Sequence, residues 1–122
     1  IQTTARLLLE KHDGQVPQTL EEMVQLAGVG RKTANVVLTI AFGIPSGIIV
    51  DSHAARVSQR LGLTTQDKPE KIETELLESV PKSEWIHFGP ALVLHGRYTC
   101  TNEAPKCGNC LFSESCPRLG VN

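Results

Sequence analysis

The chain has 122 residues, of which 40% are hydrophobic and 4% aromatic, and its formal net charge at pH 7 is -1. This length suits a single domain, and such an apolar content with balanced charge excludes a disordered acidic or basic tail. No apolar run approaches the roughly 18 residues that a membrane span needs. Near neutrality also excludes a global attraction to nucleic acid, so any DNA binding must use a local surface.

Helical periodicity dominates the first part of the chain. An apolar set at helical spacing predicts a helix that ends at the turn-forming pair Asp13-Gly14. The segment Thr19–Glu22 has the capping-box pattern of a second helix start. Another apolar run extends from Ala34 to Phe42, where Gly43 ends it. The apolar set of the first helix consists of Ile1, Ala5, Leu8 and Leu9.

Two further helices are predicted after the linker around Pro45. Asp51 is placed to cap the first of them, which Gly62 ends. Pro69 suits the first turn of the second, which extends to about Val80. The many charges of this second helix fit a solvated amphipathic surface better than an acidic binding face.

A last long helix and an irregular tail complete the chain. Ser83 is the expected cap of this helix, and Pro90 lies near its start or at a kink. The tail, rich in Pro, Gly and Cys, has little periodicity. The sequence therefore predicts an all-α fold of two parts, residues 1–43 and residues 44–122, the second ending in a loop over residues 100–116.

The segment Leu26–Ala34 joins two helical patterns by a very short turn. Gly28 and Gly30 permit positive backbone angles and leave the main chain accessible. The amides just before the second helix would point outward at its positive end, which suits a phosphate oxygen. Gly-x-Gly alone favours a simple glycine C-cap, but apolar flanks and the Arg31-Lys32 pair favour a helix-hairpin-helix that holds a DNA backbone without reading its bases.

Lys32 and Asp51 are the candidate catalytic residues. A lysine at a helix N-terminus, partly buried, would hold some neutral amine able to attack an electrophile. The alternative for Lys32 is a surface lysine or a phosphate contact. Asp51 is either a helix N-cap or a carboxylate near a developing sugar cation, and it can serve as both, since a cap uses only part of its acceptor capacity.

All four cysteines lie in a short stretch with the spacing C-x6-C-x2-C-x5-C. Crowded thiolates of this kind can ligate one [4Fe-4S] cluster or one tetrahedral zinc ion, and the residues alone leave both open. A disulfide pair is disfavoured by the crowding and by the absence of secretory features. Lys106, between the first two, is either a phosphate contact or an ordinary loop residue beside Glu103. The candidate ligands are Cys100, Cys107, Cys110 and Cys116.

Together these segments resemble the endonuclease III family of DNA glycosylases. The matching residues run from Leu26 to Val37, from Val50 to His53 and from Leu94 to Cys100, and the cysteine spacing is similar to the family's cluster loop. The resemblance covers nearly the whole chain. It implies a helix-hairpin-helix glycosylase fold, with the hairpin in residues 1–43 and an iron-sulfur loop in residues 100–116.

The resemblance also implies a function. It predicts a base-excision repair enzyme, a bifunctional glycosylase and AP lyase that flips oxidised pyrimidines out of double-stranded DNA and also acts at abasic sites. Lys32 matches the family's nucleophile, which forms a Schiff base with the sugar, and Asp51 matches its catalytic aspartate. The four cysteines are expected to hold a structural [4Fe-4S] cluster. The expected DNA contacts are Gly28, Val29, Gly30, Arg31, Thr33 and Lys106.

The sequence departs from the family pattern in three places. Ala27 replaces a common proline, the segment from Gly43 to Asp51 is one residue longer than usual, and the family's N-terminal region is not in these residues. We therefore expect a fragment of reduced activity that self-associates. No secretion signal is found in the residues given, which predicts a cytoplasmic, nucleoid-associated location in a bacterium, and no membrane partner is expected.

Three other functions compete with this one. An adenine-specific mismatch glycosylase shares the cysteines and Asp51, but it lacks a lysine matching Lys32. A non-catalytic DNA-binding module would bind an abasic duplex without cleaving it. A zinc-stabilised interaction domain would contain zinc and have no affinity for DNA.

Overall fold

The computed structural model describes all 122 residues and contains helices and turns but no strand. The predicted all-α class is confirmed. None of the helices combines the length and apolar character that a membrane crossing requires. Two 3-10 turns, at Lys82–Glu84 and Cys107–Asn109, accompany the α-helices. The six α-helices are α1 (Gln2–His12), α2 (Leu20–Met23), α3 (Arg31–Phe42), α4 (Ser52–Arg60), α5 (Pro69–Ser79) and α6 (Trp85–Tyr98).

The chain forms two compact units, Ile1–Gly47 and Ile48–Asn122. The first holds α1 to α3 and the second α4 to α6 with the cysteine-rich tail. The predicted boundary lies between residues 43 and 44. In the structure, the linker around Pro45 belongs to the first unit instead.

The first unit packs α2 and the following turn against α3. Leu26 and Leu38 are buried in its core, and α1 contributes Leu7 and Leu8 from outside, with no fully buried residue of its own. The helix predicted from the apolar set is confirmed as α1, and three of the four members of that set are exposed. The Thr4 side of α1 faces the hairpin, where the Thr4 hydroxyl donates to the Ala27 main-chain carbonyl. In this orientation Leu7 and Leu8, from a run of three leucines, contact the core. The exposed members are Ile1, Ala5 and Leu9.

Most predicted helix ends are confirmed. The Glu22 amide donates to Thr19 Oγ1 at 3.3 Å, so Thr19 is the N-cap of α2, and Pro69 is the first residue of α5. The predicted cap at Ser83 was wrong. Ser83 lies within the 3-10 turn, and Glu84, the residue before α6, already has right-handed helical angles (φ -98, ψ -10). The chain thus enters α6 without the extended residue that a side-chain cap requires.

The second unit is organised around α4 and α6. Ala54 and Val57 on α4 are fully buried and pack with Leu92 of α6 and with Ile72 and Leu76 of α5. Pro90 lies inside α6, where it removes one helical donor. This core lies beneath the start of α4, where Asp51 is found.

Candidate functional site

The hairpin between α2 and α3 is held by its own main chain. Gly28 has φ +74, a conformation that a residue with a Cβ adopts only with strain, and the Val29 amide donates to the Leu26 carbonyl at 3.2 Å. Gly30 is different: its φ of -91 and ψ of 178 are open to any residue. Both glycines were expected to permit positive φ angles, and of the two only Gly28 adopts one.

Gly30 leaves the start of α3 accessible. As the N-cap it has no side chain to accept from the first amides of the helix, and such amides have no partner within the helix. A Cβ built at Gly30 would meet no atom within 4 Å. Neither backbone angle nor packing requires glycine here, and the absence of a side chain leaves room for an anion at the helix N-terminus.

The side chains around this helix start differ in exposure. Arg31, Lys32 and Thr33 are exposed, and they occupy the first three positions of α3. Val29 is half-buried and packs its side chain on the core of the first unit. The expected partial burial of Lys32 was wrong, because the buried face of α3 begins at Ala34, beyond the first three positions.

Asn35 is a feature of this unit that the sequence analysis missed. It is 1% exposed, and its side-chain oxygen accepts from the Ser46 hydroxyl at 2.8 Å. The bond joins α3, three residues after Lys32, to the linker that leads out of the unit. A buried amide in a run of apolar residues is the only local signal of such a contact.

Asp51 lies in the second unit and is half-buried at the start of α4. Its Oδ1 accepts from the Ala54 amide at 2.8 Å, so the predicted cap is confirmed. One carboxylate oxygen thus carries the cap, and a carboxylate has further acceptor sites for chemistry. The cap also fixes the rotation of the side chain relative to α4.

The four cysteines are unpaired thiols, each half-buried, and all four line one cavity. Main-chain amides point at two of the sulfurs: Phe112 N–H lies 3.4 Å from Cys110 Sγ, and Arg118 N–H lies 3.4 Å from Cys116 Sγ. Amide donors of this kind stabilise the negative charge of a ligating thiolate. No three His, Cys, Asp or Glu side chains are grouped as ligands of a single ion.

Arg60 holds both ends of the cysteine loop. The residue is 8% exposed, and its guanidinium donates to the Thr101 carbonyl at 2.6 Å and lies 3.4 Å from Cys100 Sγ. Its own carbonyl accepts from the Leu119 amide at 3.2 Å and from the Cys116 thiol at 3.4 Å. The loop is therefore closed by protein contacts around the cavity.

His95 also lines this cavity. Its Nε2 lies 3.6 Å from Cys110 Sγ, and burial lowers the pKa of His95. Lys106 is exposed, and its amide closes the loop by donating to the Thr99 carbonyl at 2.9 Å. The four thiols, the amide donors and the closed loop fit a thiolate-ligated cluster.

Known proteins share this arrangement. A model of the helix-hairpin-helix motif matches residues 11–40. Endonuclease III of Synechocystis sp. is 47% identical over 117 residues, which covers 96% of this chain and 53% of that protein. Endonuclease III of Haemophilus influenzae is 47% identical over 113 residues, covering 93% of this chain and 53% of that protein. The chain spans about half the length of the curated relatives it matches.

Solved structures give the same result. A trapped covalent intermediate of endonuclease III with DNA matches with a TM-score of 0.89 and 40% identity over 96% of this chain and 55% of that one. A thermostable thymine-DNA glycosylase matches with a TM-score of 0.79 and 27% identity over 95% of this chain and 55% of that one. The fold is thus that of the helix-hairpin-helix DNA glycosylases. Within that class, the chain is homologous to endonuclease III proteins over nearly its whole length, as the resemblance in the sequence predicted.

Proposed function

We propose that these residues carry the hairpin, the nucleophile and the metal loop of a base-excision repair enzyme, a bifunctional DNA glycosylase and AP lyase acting on oxidised pyrimidines. The observation that carries the proposal is the position of Lys32. Its side chain is exposed in the first turn of α3, directly after a glycine N-cap that is open to an anion. This position supports the proposal, because a primary amine lies beside main-chain amides that can donate to a phosphate oxygen.

The hairpin binds the DNA backbone. Amides at the start of α3 donate to a phosphate oxygen, and the Arg31 guanidinium and the Thr33 hydroxyl add side-chain donors. Such contacts position the duplex and carry no sequence information. The damaged nucleotide is flipped out of the stack to reach the amine.

The chemistry begins at the Lys32 amine. Its lone pair attacks the sugar C1′, the bond from C1′ to the base breaks, and the base leaves with that electron pair and a proton. The C1′–O4′ bond then breaks, O4′ takes up a proton, and the nitrogen lone pair forms an iminium ion between Lys32 Nζ and C1′. The iminium acidifies the C2′ proton. Loss of that proton and departure of the 3′ phosphate oxygen cleave the strand.

Asp51 supplies the negative charge that these reaction steps need. A carboxylate near C1′ stabilises the positive charge that develops as the base leaves, and it accepts the proton that the attacking amine loses. Its fixed rotation at the N-cap of α4 suits this task, because a preorganised charge costs no reorganisation during reaction.

The cysteine loop holds the cofactor. Cys100, Cys107, Cys110 and Cys116 would ligate a [4Fe-4S] cluster, which when bound crosslinks the loop as a structural element. We expect anaerobically purified protein to be brown and to contain iron and sulfide in equal amounts. Stoichiometric zinc without sulfide would contradict this and favour the zinc-stabilised domain.

Strand cleavage of an abasic duplex by the full-length natural protein tests the function. We expect Lys32→Ala to abolish cleavage and Asp51→Asn to slow it by about 100-fold or more, with DNA binding retained. Lys11→Ala, which removes another exposed lysine of the same unit, is the matched control and keeps wild-type activity. Wild-type protein that binds the duplex without cutting it would identify a non-catalytic DNA-binding module instead.

A further inference from the structure

The residues that lead into Asp51 are buried although they form no regular secondary structure. Ile48, Ile49 and Val50 are 1%, 6% and 5% exposed, and they precede Asp51 directly. A buried main chain outside helices and sheets must find partners for its polar groups elsewhere in the fold. Two residues from distant parts of the second unit meet this segment.

The first of them is Glu73 on α5. Its side chain is 5% exposed, and its Oε2 accepts from the Ile48 amide at 3.1 Å. A carboxylate is costly to bury, so its retention on the inner face of α5 calls for a specific task. The bond fixes the start of the buried segment, three residues before Asp51.

The second is Gly89 on α6. A Cβ built there would lie 2.7 Å from the Ile49 nitrogen and 3.2 Å from the Ile49 carbonyl oxygen. These are main-chain atoms, which cannot turn away as a flexible side chain can. Gly89 is helical and needs no positive φ, so its glycine is explained by the close approach of the segment to α6. This contact lies two residues before Asp51.

We propose that Glu73 and Gly89 are positioning residues for the Asp51 carboxylate. Glu73 holds the segment at Ile48, and Gly89 sets how closely it approaches α6 at Ile49. The two contacts leave the chain one residue, Val50, before the N-cap of α4. The inference rests on the proposed function, in which Asp51 acts at the sugar. A misplacement of about 1 Å at a reacting group costs on the order of 100-fold in rate.

Single-turnover excision and abasic-strand cleavage by the full-length, metal-loaded protein test the proposal. We expect Gly89→Ala to lower the rate by about 100-fold while the Kd for DNA changes less than about twofold, because the added Cβ displaces the segment and leaves the hairpin untouched. Glu73→Ala lowers the rate in the same way, and Glu73→Gln restores most of it, since an amide oxygen still accepts from the Ile48 amide.

Two measurements separate positioning from loss of stability. Leu77→Ala, which removes a half-buried side chain packed on the same core, serves as a destabilised control that keeps its rate when folded. The NMR signal of the Ala54 amide, which donates to Asp51, shifts in Gly89→Ala and Glu73→Ala and keeps its wild-type position in Leu77→Ala. If Gly89→Ala fails to fold, the two Glu73 variants decide.

The outcomes distinguish this inference from the proposed function. If Asp51→Asn is inactive while folded Gly89→Ala and Glu73→Ala keep the wild-type rate, the positioning role is wrong and the proposed function stands. If Asp51→Asn itself keeps the wild-type rate, the proposed function is wrong and this inference falls with it.

Discussion

The hairpin of the first unit and the segment before α4 in the second unit hold their candidate residues in opposite ways. Lys32 follows a turn shaped by its immediate neighbours, through the positive φ of Gly28 and the bond from Val29 to Leu26. Asp51 follows a segment held by Glu73, which is 25 positions from Ile48. The candidate nucleophile thus follows a turn held by local geometry, and the candidate carboxylate follows a segment held by long-range packing. Local substitutions should therefore affect Lys32, and distant ones should affect Asp51.

The largest expected effect on stability lies in the core beneath Asp51. Leu76 is 1% exposed and packs with the core residues of the second unit. We expect Leu76→Ala to lower the free energy of unfolding by about 2–5 kcal/mol, because it leaves a cavity. Leu9→Ala, at a position 70% exposed on α1, should change it by less than about 0.5 kcal/mol. Chemical denaturation measures both, and equal effects would contradict the described packing.

Substitutions at the two hairpin glycines should distinguish backbone strain from access of a phosphate to the start of α3. Gly28→Ala forces a Cβ into a positive φ, and we expect it to cost about 1–2 kcal/mol of stability. Gly30→Ala meets no protein atom and has an ordinary φ, so we expect thermal unfolding to be unchanged while DNA affinity falls. A titration of abasic duplex at low salt measures that affinity. Wild-type affinity in Gly30→Ala would contradict the anion site at the start of α3.

The cap at Asp51 predicts a smaller, separable effect. Asp51→Ala removes the acceptor of the Ala54 amide, and we expect it to cost about 1 kcal/mol. Asp51→Asn keeps a capping oxygen and should change stability by only a few tenths of a kcal/mol. Thermal unfolding separates this structural role from the proposed catalytic role, for which we expect both variants to be slow. Equal stability of the two variants would show that the cap contributes nothing.

The smallest expected effect is at a buried hydroxyl on α4. The Ser58 side chain is fully buried, and its oxygen has no hydrogen-bond partner. We expect Ser58→Ala to be neutral or to stabilise the second unit by up to about 1 kcal/mol, since it removes an unsatisfied polar group. A loss of more than about 1 kcal/mol in denaturant unfolding would show that the hydroxyl does make a stabilising bond.

The distinction between local geometry and long-range packing also explains which features the sequence could predict. The Thr19 and Asp51 caps, the Pro69 helix start and the all-α class follow from residues close together in the chain, and all are found in the structure. The predicted cap at Ser83 was wrong because the backbone of the next residue, Glu84, is already helical. Helix α1 was predicted from its apolar spacing, but the contact of Thr4 with the Ala27 carbonyl, 23 positions away, has no local signal.

The supports of the candidate site could not be predicted from local patterns. Arg60 is buried and binds both ends of the cysteine loop, and the sequence analysis did not identify it. Glu73 stands among several acidic residues of α5, and only its burial distinguishes it. The close approach of Ile49 to Gly89 has no local signal in the sequence. Each role depends on which elements pack together, and a single sequence does not show that.

We infer that the exposed amine of Lys32 is the nucleophile. Borohydride reduction of the full-length natural protein on abasic duplex, followed by proteolysis and mass spectrometry of the cross-linked peptide, tests this directly. We expect one covalent adduct, with the reduced sugar attached to Lys32 Nζ, and no adduct in Lys32→Ala. An adduct on another amine, or undiminished trapping by folded Lys32→Ala, would contradict it.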